Sequence, residues 1–224
     1  MLEKLEQSMG YTFENKELLK RALTHTSYAY ENKVESNEKL EFLGDSILEF
    51  VSSKYLYLHY PKLKEGEMTK VRAEVVCENS LYKVAKKHNF SDFLYTGKSE
   101  YACHGNQKPA IMADSVEAVI AAIYFDGGLA EAEKFIVDNL KEAIEESTKN
   151  VGMKDHKTVL QEKLQQNGEV SIHYTVIDTS GPDHDKTFIV KVECNGKELA
   201  RGKGKTKKGA EMNAAERALE LLEE

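Results

Sequence analysis

At 224 residues the chain is long enough for one large domain or two modest ones. Hydrophobic residues make up 41% and charged residues 31%, a balance that supports a packed core and excludes a disordered or low-complexity chain. Charges in the opening MLEKLEQSMG stand where a secretory signal needs an apolar run, and the longest apolar stretch, 118–125, is far too short to span a bilayer, so a soluble cytoplasmic protein is expected. Cys77, Cys103 and Cys194 are widely spaced and odd in number, which points to reduced thiols and away from a disulfide framework or a zinc site. A net charge of −7 argues at first against a nucleic-acid partner, yet 199–210 holds Arg201, Lys203, Lys205, Lys207 and Lys208 with no acid. A local basic stripe matters more to a polyanion than the total charge does.

Up to about residue 150 apolar residues recur at spacings of three and four, the period of helices. Leu18, Leu19, Ala22 and Leu23 begin one stripe. Leu40, Leu43, Ile47, Phe50 and Val51 make a second, and Val116, Val119, Ile120 and Ile123 a third. Asn37, Pro61, Pro109 and Gly127-Gly128 mark helix ends, and Tyr101–Lys108 reads as a loop without a catalytic role. An all-helical domain over 1–146 is expected, followed by a polar linker over 147–154 and a second domain over 155–224. In that second domain a helix is predicted over 158–166, and alternating strands over 171–179 and 186–194. Asn195-Gly196 supplies a two-residue hairpin into a third strand over 197–202, and an Ala/Glu/Leu-rich helix closes the chain.

Within NEKLEFLGDS, Glu38, Glu41 and Asp45 fall inside roughly a 60° arc of a helix whose other side is apolar. Asn37 as a cap and Glu38 at the positive helix end account for part of this, but not for Asp45 two turns in. Asp114 and Glu117 lie on a helix apolar nearly all round, where lone carboxylates cost several kcal/mol unless paired, protonated or bound to a cation. Two helices bringing Glu41, Asp45, Asp114 and Glu117 to one point would form an all-oxygen site suited to Mg²⁺, or to Mn²⁺ in its place, and unsuited to zinc. Such sites hydrolyse phosphodiesters. Gly44, costly inside a helix, suggests close packing there, either between helices or at a subunit contact. His25, between two threonines, reads as a hydrogen-bonded structural histidine.

NEKLEFLGDS closely resembles the signature of bacterial ribonuclease III, and LTHTSY, EGEMTKVRAEVV and ADSVEAVIAAIYFDGG follow the same family in order. The resemblance covers essentially the whole chain. It implies an all-α endonuclease domain followed by a small α+β (α-β-β-β-α) double-stranded RNA-binding domain. It further implies that Glu41, Asp45, Asp114 and Glu117 bind metal, with Asp45 and Glu117 essential to hydrolysis and Glu38 and Glu65 as accessory acids.

Lys205, Lys207 and Lys208 crowd the start of the last helix, where the dipole disfavours cations and a docked phosphate would reverse the balance. Carried over from the family, those lysines meet phosphates of duplex RNA, while Gln161 and His184 meet its two minor grooves. The implied activity is metal-dependent cleavage of double-stranded RNA, leaving 5′-phosphate and 3′-hydroxyl ends with short 3′ overhangs. A homodimer is expected, because each chain carries one acidic cluster and a duplex has two strands. Ribosomal RNA precursors and structured messenger transcripts are the implied substrates. Two rivals stand beside this reading: a catalytically silent double-stranded RNA-binding protein, and a metal-dependent phosphohydrolase of small substrates, which gives the basic helix start no role.

Overall fold

The computed structural model describes residues 2–151, 156–166, 170–182 and 186–222. The chain divides into two compact units, Met1–Gly152 and Met153–Glu224.

The first unit is helical: α1 (Leu2–Met9), α2 (Lys16–Ala22), α3 (Thr26–Asn32), α4 (Glu38–His59), α5 (Glu65–Val75), α6 (Glu78–Lys87), α7 (Lys98–Ala102), α8 (Pro109–Gly127) and α9 (Leu129–Val151). Local chemistry sets several ends. Asn15 caps α2 by accepting from Glu17 N–H. Pro109 sits in the first turn of α8, where a missing N–H costs nothing. The centre is α8, which buries Ile111, Val116, Val119, Ile120 and Ile123 and packs on α2, α4, α6 and α9. Leu19, Leu48, Leu56, Phe90 and Ile136 complete that core with essentially no exposure. Among the described residues, no helix is long and apolar enough to cross a membrane.

Four local expectations are corrected. Asn37 precedes α4, but its side chain makes no cap bond; its backbone N–H instead donates to Thr24 carbonyl at 2.9 Å. Phe50, placed on the core stripe, is 54% exposed. The Tyr101–Lys108 stretch begins in α7 and continues as a single 3-10 turn, Gly105–Gln107, with Lys108 Nζ 2.6 Å from Glu100 Oε1. The polar segment expected to start a linker at 147 remains helical to Val151, because Ser147 is buried and its hydroxyl donates to Glu74 Oε2 at 2.6 Å.

The second unit follows the order α10 (His156–Gln165), β1 (Ile172–Ser180), β2 (Thr187–Cys194), β3 (Lys197–Gly204) and α11 (Lys207–Leu221). The strands form one antiparallel sheet in the order β1-β2-β3. Asn195 and Gly196 have φ of 50° and 80°, the left-handed pair that a two-residue turn demands. Leu160, Val192, Ala200, Ala214, Ala215 and Ala218 form the core. The alanines let α11 lie close on the sheet: a Cβ on Gly202 would stand 2.1 Å from Ala214 N.

Candidate active site and RNA-binding surface

Helices α4 and α8 meet backbone to backbone. A Cβ on Gly44 would lie 1.8 Å from the Glu117 carbonyl oxygen and 2.5 Å from its carbon, so only glycine fits. Gly44 directly precedes Asp45 and follows Glu41 by one turn, which puts the closest approach of the helices at the acids themselves. The close packing suggested by this glycine is therefore internal to the chain.

Burial and mutual charge act together on these carboxylates. Burial pushes Glu117 up to about 8, helped by the charges of Asp45, Asp114 and Glu41. Glu41 is raised by burial and then by Asp114, Glu38 and Asp45. Asp114 is raised by burial and by Glu78, with only His25 opposing. Among the described residues, no lysine or arginine offsets these groups.

Glu41, Asp114 and Glu117 are part-buried and Asp45 is exposed; carboxylates that repel one another without an opposing cation suit a hard divalent ion. Among the described residues, no three His, Cys, Asp or Glu side chains are already gathered at coordinating distance. The chemistry of this donor set, oxygen ligands only on two helices whose backbones meet at Gly44, fits a Mg²⁺-type ion.

The accessory acids separate. Glu38 is exposed, accepts from Ser36 Oγ at 3.0 Å and contributes its charge to Glu41. Glu65 opens α5 and accepts from Thr69 Oγ1 at 3.0 Å. It lines a groove of about 380 Å³ with Phe50, Tyr57, Met68 and Arg72, which none of the four core acids touches. Within one chain Glu65 is thus not brought to the cluster. Sequence reasoning missed Glu78, the charge Asp114 feels most, since only the packing of α6 on α8 brings it near.

In the second unit Thr206 caps α11, accepting from Gly209 N–H at 3.0 Å. Lys205, Lys207 and Lys208 are exposed at that helix start, and Gln161 is exposed on α10. His184 lies outside the described residues. Lys157 stacks over the Tyr174 ring at 4.2 Å and pairs with Glu211 at 2.8 Å, which binds α10 to both β1 and α11.

Two family models match: "Ribonuclease-III-like" over residues 15–144 and "Double-stranded RNA binding motif" over 156–222. Ribonuclease 3 of Clostridium kluyveri is 46% identical over 221 residues, covering 98% of this chain and 91% of that one. Ribonuclease 3 of Caldanaerobacter subterraneus is 46% identical over 224 residues, covering 99% and 98%. A solved nuclease domain of ribonuclease III from Campylobacter jejuni, described with a flexible region involved in dimer formation, is 39% identical with a TM-score of 0.61. It covers 64% of this chain and 98% of its own. Domain order, helical core and sequence agree throughout, and the chain belongs to the ribonuclease III family.

Proposed function

We propose that this chain is an endoribonuclease that hydrolyses phosphodiester bonds in double-stranded RNA with a divalent metal, leaving 5′-phosphate and 3′-hydroxyl ends with short 3′ overhangs. The observation that carries the reading is Glu117: part-buried, beside three carboxylates, and without an opposing lysine or arginine. Glu41, Asp45, Asp114 and Glu117 are the residues to hold Mg²⁺, or Mn²⁺ in its place. When bound, the metal supplies an activated water and stabilises the leaving oxygen. In its absence burial favours the protonated form of Glu117, and that proton is released when a cation takes its place. Asp45, whose charge acts on Glu117, and Glu117 itself are the pair assigned to hydrolysis. Glu38 acts on Glu41 through charge.

Substrate is held by the second unit. Lys205, Lys207 and Lys208 meet phosphates at the start of α11, where N–H groups add to their field. Gln161 and His184 meet the minor grooves on either side.

Each chain brings one cluster, so cutting both strands calls for a homodimer. Support comes from α4, where Phe42, Phe50 and Tyr57 are 79%, 54% and 72% exposed on one stripe beside the Phe50–Met68 groove. Aromatic side chains in that number mark an interaction surface. We place the enzyme in the cytoplasm, acting on ribosomal RNA precursors and structured messenger transcripts.

The test is incubation of the purified chain with long duplex RNA, with Mg²⁺ or with chelator. Shortening in Mg²⁺ alone is expected. RNA that is bound but intact in both would leave a double-stranded RNA-binding protein without activity.

A further inference from the structure

The sequence holds two Asn-Gly pairs, of which Asn167-Gly168 lies outside the described residues. The other, Asn195-Gly196, is the exposed turn between β2 and β3. Such a pair is reactive toward itself. Glycine has no Cβ to shield its nitrogen, so that nitrogen can attack the carbonyl carbon of the asparagine side chain. An N–Cγ bond forms, the Cγ–Nδ2 bond breaks and ammonia leaves. Water then opens the five-membered ring at one of its two carbonyls, giving aspartate or isoaspartate.

In this fold Asn195 is held twice by Ser171, the residue before β1. Asn195 N–H donates to the Ser171 carbonyl at 2.9 Å, and Ser171 N–H donates to Asn195 Oδ1 at 2.9 Å. A backbone N–H only donates, so the side-chain atom that faces it is the oxygen. The two bonds extend the β1–β2 ladder one step beyond the Ile172–Cys194 pair. The carbonyl group that the reaction needs is thus already engaged on the β1 side.

We propose that Asn195 is a latent deamidation site, kept unreactive by Ser171 in the folded chain and modified only through states in which that bond is open. The product bears on RNA binding. Isoaspartate adds one carbon to the main chain of a turn that has only two residues. Strand β3 has no slack to absorb it, since a Cβ on Gly202 would stand 2.1 Å from Ala214 N and one on Gly204 2.5 Å from Ala210 N. That strand runs directly into Lys205, Lys207 and Lys208. This consequence rests on the lysine reading above, whereas the chemistry at Asn195 does not.

The test follows the full chain at pH 8, in buffer and in urea, by peptide mass spectrometry of residue 195, with hydrogen exchange of the Ser171 N–H measured by NMR. The native rate should equal the urea rate multiplied by the fraction of time that the Ser171 N–H is open, a slowing of about tenfold or more. Ser171→Pro removes the donor, and in a folded variant the rate should rise toward that in urea. Equal rates in buffer and urea would overturn the proposal, as would a native rate well above the open fraction. A folded Ser171→Pro chain that reacts as slowly as the native one would do the same. Should that variant not fold, the exchange comparison decides. Aged chain carrying isoaspartate should lose duplex RNA binding, and undiminished binding would overturn that consequence while leaving the restraint on Asn195 in place.

Discussion

Consider Glu117→Gln in the metal-free protein, unfolded by heat between pH 5 and pH 9. Glutamine keeps the shape and removes the charge. In the unfolded chain Glu117 titrates at its ordinary 4.5, and in the folded chain at about 8. Below the lower value both states hold the proton and no penalty exists. As pH climbs through the interval, only the unfolded chain gives the proton up, so stability falls until pH passes about 8. A rise of that size corresponds to about 5 kcal/mol without screening. Because the side chain is only part-buried, solvent reduces this to roughly 1–3 kcal/mol. At about 2–4 °C per kcal/mol for a chain of this length, the variant should melt roughly 2–12 °C above the native protein at pH 9. The two should converge near pH 5. Added Mg²⁺ should raise the native Tm at pH 9 and leave the variant nearly unmoved, while RNA cleavage is lost in the variant. Parallel Tm curves for the two proteins across the whole range would refute the reasoning.

Gly44→Ala forces a Cβ into the Glu117 carbonyl and should cost about 3 kcal/mol or more in urea unfolding, with a loss under 1 kcal/mol contradicting the contact. Lys207→Ala with Lys208→Ala should weaken binding to every duplex sequence alike and flatten log K against log salt by about 2, and an unchanged slope would move the phosphate contact elsewhere. Ser52 buries a hydroxyl with no partner among the described residues, so Ser52→Ala should be neutral or stabilising by up to about 1 kcal/mol, and a clear loss in thermal unfolding would reveal a bond at that oxygen.

Periodicity carried the helical unit well because α8 is apolar on every side; nothing but a central position suits such a helix, and its two acids then stand out. The same reasoning failed at Phe50, since an apolar residue on a stripe does not say whether the stripe meets its own chain. Ser147 resembled a linker residue because its partner, Glu74, is 73 positions away and invisible to local composition. Asn37 had the chemistry of a cap and did not use it, because Thr24 engages its backbone instead. Among the acids, the part-burial of Glu41, Asp114 and Glu117 followed from the apolar helices that carry them, whereas Asp45 is exposed. Glu78 was not, for nothing in its own segment departs from an ordinary acidic helix start. His25 was legible as a hydrogen-bonded histidine, its ring engaged by Ser27.

The glycine contact between α4 and α8 has a bearing on how the enzyme tolerates change. Most helix pairs are held apart by interlocking side chains, so each core substitution resets their spacing by a fraction of an ångström. Here the separation is set by main-chain atoms, which no substitution elsewhere alters. The core can drift in sequence, swapping leucine for isoleucine or valine around the unit, without detuning the distance between the acids. A single hydrogen in place of a side chain makes the site's geometry independent of the core that supports it.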